Sequence, residues 1–132
     1  MKKMIAFVLT LLLVFSLGSC SGEEESLGYV QISTEEAVTM MAEQEEYVIL
    51  DVRTAEEFSE KHIVGAVNIP NEEIGTEPIE QLPDLDQLIL VYCRSGNRSK
   101  QASEKMVKLG YTNVYEFGGI IDWTGETVSG EE

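Results

Sequence analysis

A chain of 132 residues is long enough for one compact domain with a single buried core and leaves no room for a second catalytic domain. Only 9 Lys and Arg stand against 24 Asp and Glu, for a formal net charge of −15, which argues against a nucleic-acid partner because such a partner needs a cationic footprint. The acidic balance reads as a solvated surface that aids solubility, with an acidic patch for a basic partner as the alternative.

In chain order, Lys2 and Lys3 supply a positive N-terminal patch, and residues 5–17 are apolar apart from Thr10 and Ser16. As a helix this run spans roughly 20 Å, short of the roughly 30 Å hydrocarbon core, so it reads as a secretory signal and not a membrane span. The following Leu17-Gly18-Ser19-Cys20 resembles the bacterial lipobox. That resemblance implies removal of residues 1–19 and a diacylglyceryl group on Cys20. The mature chain would then be lipid-anchored to a bacterial membrane outside the cytoplasm without spanning it. An ordinary signal peptide that happens to contain a Cys is the competing reading. Residues 20–28 form an acidic, glycine-bearing tether, the domain is expected over 29–125, and 126–132 are expected to fray.

Within that domain, short apolar runs alternate with helix-period segments, the pattern of an α/β fold with a mostly parallel sheet flanked by helices. Residues 30–32 predict a short strand, and Ser33-Thr34-Glu35-Glu36 offers a capping box for a helix to about Glu43 that buries Ala37, Met40 and Met41. Residues 47–50 predict a second strand, 55–61 a short helix carrying Phe58, and 66–69 a third strand closed by Pro70. Residues 88–92 lack polar alternation, so that strand is expected to be covered on both faces and central. A helix from near Ser99 to Leu109 places Ala102, Met106 and Leu109 on one face and ends at Gly110. Residues 114–117 predict a last strand, after which Gly118-Gly119 turns into a short helix holding Trp123 as a core residue.

The chain has two cysteines, and with Cys20 assigned to lipid, Cys93 has no internal disulfide partner. An unpaired thiol in an exported chain calls for burial or use. Cys93 follows the most apolar strand and precedes a polar, glycine-bearing loop and a helix. The unpaired N–H groups and partial positive charge of a helix N-terminus favour thiolate over thiol, and Arg94 and Arg98 add positive potential. Gly96 allows a tight turn, Ser95, Asn97 and Ser99 can pin the loop or cap the helix, and successive amides curled round the sulfur form an anion-binding nest. An inert core thiol is the bland alternative, and it leaves the two arginines and the polar loop unexplained.

Cys93, Gly96, Arg98 and Ser99 match the Cys-x-x-Gly-x-Arg-Ser active loop of the rhodanese family, which the chain resembles over about residues 30–123. Asp51-Val52-Arg53, Glu57-Phe58 and the run from His62 through Pro70 resemble the first signature of that family, and Gly118-Gly119 through Trp123 its closing one. The resemblance implies a rhodanese-like three-layer sandwich and a thiosulfate sulfurtransferase. Cys93 would take a sulfane sulfur from a donor such as thiosulfate, hold it as a persulfide and pass it to cyanide, a thiol or an unidentified protein acceptor. Arg94 and Arg98 would neutralise the donor oxyanion, the amides of residues 94–99 would cradle the sulfur, and Asp51 and Arg53 would form an ion pair behind the loop. No metal or organic cofactor is expected with one His and no second free Cys, and a monomer is expected. His62 reads as a turn-fixing residue.

Two other functions compete. A phosphatase or arsenate reductase would use a similar Cys thiolate, but its loop resembles Cys-x5-Arg, one residue longer than the spacing of Cys93 and Arg98. A non-catalytic sulfur carrier or docking module would use the fold without turnover, and the retained Cys and arginines speak for more than docking.

Overall fold

The computed structural model describes residues 28–131, so the signal-like segment, Cys20 and nearly all of the tether lie outside the described residues. β1 (Val30–Gln31) leads into α1 (Thr34–Glu43), whose start is the expected capping box. Ser33 Oγ accepts the Glu36 amide at 3.1 Å, and the Glu36 carboxylate accepts the Ser33 amide at 3.2 Å. β2 (Val48–Asp51) precedes α2 (Ala55–Glu60), which begins with a second capping box made by Thr54 and Glu57. β3 (His62–Ile63) and β4 (Val67–Asn68) follow. A crossover with one 3-10 turn at Asn71–Glu73 then buries Ile74, Ile79 and Leu82 on its way to β5 (Ile89–Cys93). α3 (Asn97–Leu109) stops at Gly110, whose left-handed backbone, φ +104°, lets its amide bond back into the last turn. β6 (Val114–Gly119), a 3-10 turn at Ile120–Asp122 and β7 (Thr127–Val128) complete the described chain.

Five strands form one parallel sheet in the order β1-β6-β5-β2-β4. β5 lies at its centre with all five residues buried, as the unbroken apolar run implied. Parallel strands need both faces covered, and two clusters do this. On one face Ala102 and Met106 of α3, with Ile74, Ile79 and Leu82 of the crossover, pack on Leu50, Ile89 and Val91. On the other, Ala37 of α1, Phe58 of α2 and Ile120 pack on Ile49, Leu90, Tyr92 and Phe117. The result is the three-layer α/β arrangement expected.

Four details differ from the sequence reading. The helix after Cys93 starts at Asn97, two residues earlier than expected, because Gly96 in the left-handed region, φ +112°, turns the chain directly into it. Met40 and Met41 are half-buried, and Trp123 packs its ring 6.1 Å from that of Phe117 at the margin of the core. The third strand shortens to Val67–Asn68. Finally, residues 126–131 do not fray: β7 pairs antiparallel with β3, Val64 N donates to Glu126 O at 3.3 Å, and Gly130 N donates to Ser59 O at 2.7 Å. Ile63 is buried and already satisfied, its amide donating to Tyr92 Oη at 3.1 Å and its carbonyl accepting from Ala66 N at 3.0 Å, so the tail is held through the residues on either side of it. A two-residue strand carries too little pattern to be seen beforehand.

Candidate active site

β5 delivers Cys93 to the carboxyl end of the central strand, and the chain turns at once through Arg94, Ser95 and Gly96 into α3. Ligands of open parallel sheets gather at such strand ends, where loops and helix N-termini face a common crevice. Cys93 Sγ lies under the loop, with the residue 1% exposed. Gly96 N donates to it at 3.0 Å, and Ser99 Oγ stands 3.4 Å away. Burial by itself pushes the thiol up. The Ser99 hydroxyl and the amides of Ser99, Gly96 and Ser95 outweigh burial and hold Cys93 below the ordinary thiol range. The loop thus brings the amides of Ser95, Gly96 and Ser99 to bear on one sulfur.

Not every predicted loop residue does what was expected of it. Ser99 alone of the three polar side chains pins the loop: its buried hydroxyl lies 3.0 Å from Gly96 O, 3.3 Å from Gly118 O and 2.7 Å from Glu116 Oε1. Ser95 and Asn97 are exposed, and no side chain caps α3. Arg94 is exposed and, among the described residues, makes no ion pair. Arg98 is engaged elsewhere, with Nη1 2.6 Å from Glu57 Oε1 and Nη2 2.9 Å from Glu57 Oε2. The two arginines are thus unequal: Arg94 is an exposed cation of the loop with no ion pair among the described residues, and Arg98 a cation already matched by a carboxylate. Sequence spacing could not show this, since Glu57 lies on α2 and reaches Arg98 only through the fold.

Behind the loop Asp51 and Arg53 form the expected pair. Arg53 Nη2 meets Asp51 Oδ2 at 2.6 Å and Arg53 Nε meets Oδ1 at 3.0 Å, both side chains being almost fully buried. Arg53 Nη2 also donates to Lys61 O at 2.6 Å, and its guanidinium lies 5.7 Å from the centre of the Tyr92 ring. The pair therefore ties the end of β2 to the end of α2 beside β5. His62 plays the structural part assigned to it: it is buried, stacks on Phe58 at 3.7 Å and meets the Phe58 carbonyl with Nδ1 at 2.8 Å.

Two residues that the sequence reading passed over help to build the site. Gly119 backs onto the loop so closely that a Cβ there would fall within the Arg94–Ser95 peptide, so only glycine lets β6 support it. The signal was visible as Gly118-Gly119, but its reason was not. The other is Glu116, 2% exposed, whose Oε1 accepts from Ser99 Oγ and from Gly118 N at 2.8 Å. An acidic residue amid Val114, Tyr115 and Phe117 was its only advance sign. Among the described residues no group of His, Cys, Asp and Glu is placed to hold a metal ion.

Comparison with known proteins agrees with this geometry. The chain is 37% identical over 81 residues to the thiosulfate sulfurtransferase PspE of Escherichia coli, covering 61% of this chain and 78% of that protein. It is 35% identical over 111 residues to the putative sulfur carrier protein YrkF of Bacillus subtilis, covering 83% of this chain and 59% of that protein. Its fold is similar to a solved rhodanese with anions from E. coli, with a TM-score of 0.58 and 38% identity over 64% of this chain and 99% of that one. The model of the rhodanese-like domain matches residues 33–126, and the chain belongs to that family, which includes sulfurtransferases.

Proposed function

We propose that this protein is a thiosulfate sulfurtransferase that carries sulfane sulfur on Cys93. The observation that carries the reading is the ring of donors aimed at Sγ, with Gly96 N at 3.0 Å. In the loading step the Cys93 thiolate attacks the outer sulfur of thiosulfate, the donor S–S bond breaks, and sulfite leaves with its electron pair. Cyanide or a thiol then attacks the outer sulfur of the persulfide and returns the thiolate. Arg94, exposed and unpaired at the mouth, is the residue suited to the donor oxyanion and departing sulfite. No further residue is asked to move a proton when the thiolate attacks. The four-residue spacing from Cys93 to Arg98 and the pairing of Arg98 with Glu57 favour sulfur over the tetrahedral phosphate of a phosphatase.

We infer further that the chain is exported and lipid-anchored through Cys20, on the strength of the apolar run and the Leu17–Cys20 pattern. An external acceptor must then discharge Cys93, because no other thiol lies among the described residues. The test is intact-mass measurement of the full chain, purified in detergent, before and after thiosulfate, beside Cys93→Ser and a cyanide turnover assay. One added sulfur that requires Cys93 and is discharged by cyanide is expected. No adduct and no turnover in a folded chain with a free thiol would defeat the reading.

A further inference from the structure

Glu116 is a buried acidic member of the site that the proposed transfer does not use. It sits on β6 opposite Val91 of the central strand, buried, and among the described residues it pairs with no cation. Its carboxylate receives the Gly118 amide at 2.8 Å and the Ser99 hydroxyl at 2.7 Å. Among the described residues Glu116 is the nearest partner of the Ser99 hydroxyl and its only carboxylate partner. Ser99 Oγ in turn stands 3.4 Å from Cys93 Sγ, so the Glu116 carboxylate lies one hydroxyl away from the sulfur. The sulfur therefore faces two opposed influences: the donors of the loop, which welcome negative charge, and the charge of a carboxylate one hydroxyl away, which resists it.

Sulfur loading changes where the charge sits. In the free thiolate it lies on Sγ itself. In a persulfide Sγ is bonded on both sides and nearly neutral, and the charge moves one S–S bond, roughly 2 Å, away from Ser99. We propose that Glu116 is a positioning residue that, through Ser99, favours the sulfur-loaded form of Cys93 over the free thiolate. The inference rests on the persulfide reading above and gives the site the character of a carrier that holds its sulfur. The exchange balances without a proton or an oxidant: the Cys93 S–S bond forms as the thiosulfate S–S bond breaks, and sulfite carries off the electron pair.

The other charged groups round Cys93 stay in place when Glu116 is changed. Arg98 of α3 lies within electrostatic reach of Cys93 and is held by Glu57 of α2, with Glu72 of the 3-10 turn acting on it. Arg94 stands on the loop, and the Asp51–Arg53 pair lies at the end of β2. A neutral residue at position 116 therefore removes one charge and leaves the rest.

The experiment places the full chain and its Glu116→Gln variant in fixed ratios of thiosulfate to sulfite and reads the loaded fraction by intact mass. A parallel series follows the rate of Cys93 alkylation by iodoacetamide against pH. At a pH where free Cys93 is thiolate, the expected result is a ratio of loaded to free protein about twofold lower in Glu116→Gln, with the alkylation curve moved about one pH unit down; the loading ratio changes less because the charge moves only one S–S bond away. Glu116→Asp, which keeps the carboxylate, restores part of both effects. A merely structural role predicts lower melting temperature without these shifts, and Glu116→Asn repeats the test if the Gln variant fails to fold. Equal loading of wild type and variant, or an alkylation curve that stays or moves up, overturns the inference while leaving sulfur transfer intact. A wild-type chain that takes up no sulfur at any ratio defeats the persulfide reading and this inference together.

Discussion

Arg98 grips both oxygens of Glu57, at 2.6 and 2.9 Å, and so joins the first turn of α3 to the first turn of α2 across the mouth of the loop. The cation nearest in sequence pattern to a donor-binding role is thereby neutralised by a residue on another element. Glu57→Gln releases that charge while retaining a side chain able to serve the capping box. An unmatched Arg98 adds about 1 kcal/mol of attraction for an anionic donor, so the KM for thiosulfate is expected to fall about fivefold with little change in kcat. Steady-state kinetics on the variant check this, and an unchanged KM would assign Arg98 a purely structural part.

The same pair sets a pH dependence. The Arg98 guanidinium, opposed by burial and aided by the Thr54 amide, holds the Glu57 carboxyl down at about 2. That lies below the unfolded value of about 4.3, so the contribution to stability is fully present above the unfolded value and is lost as the pH falls toward about 2. Bidentate pairs at the surface contribute about 1 kcal/mol. Urea melts of wild type and Glu57→Gln are expected to differ by about that amount near pH 7 and to converge only as the pH falls to about 2.

Adjacent glycines at the end of β6 serve different ends and separate cleanly on substitution. Gly118 has φ +88° with open space where a Cβ would go, so Gly118→Ala costs about 1–2 kcal/mol of backbone strain alone. Gly119 has no such space, and Gly119→Ala must push the Arg94–Ser95 peptide away from the sheet. A loss of about 3 kcal/mol or more, together with a sharp drop in Cys93 alkylation at neutral pH, is expected for Gly119→Ala. Denaturant titration and alkylation rates distinguish the two.

Asp51 is wholly buried and accepts from Arg53 Nε, Nη2 and the Arg53 amide. Removing its charge leaves a guanidinium stranded in the interior, so Asp51→Asn is expected to cost about 3 kcal/mol. Equilibrium denaturation measures the loss, which Cys93→Ser should not show.

Deleting residues 126–132 tests the pairing of β7 with β3. A frayed tail predicts no change, whereas loss of the partners of His62, Val64 and Ser59 predicts a fall of about 1–2 kcal/mol with activity per folded molecule retained. Thermal melts of the shortened chain decide between them.

Much of this molecule was legible in its sequence because local rules govern it. The capping box at Ser33 and Glu36, the apolar run that became the buried β5, and the stop at Gly110 each depend on residues within a few positions of one another. Cys93 at a strand end before a helix was enough to foretell a sulfur held by backbone amides, since the geometry of that turn supplies them. The short β3–β7 ribbon was not legible, because two residues on each side carry no period.

What only tertiary structure decided is which charges meet. Arg94 and Arg98 look alike in the loop, yet Glu57, 41 positions before Arg98, takes one and leaves the other. Glu116 is an acidic residue in an apolar strand until Ser99, 17 positions away, brings it under Cys93. Local sequence determines where backbone donors point and which faces are buried, because those follow from neighbours along the chain. The balance of charge around the sulfur depends on distances between β6, α2 and α3, and those distances exist only once the sheet has formed.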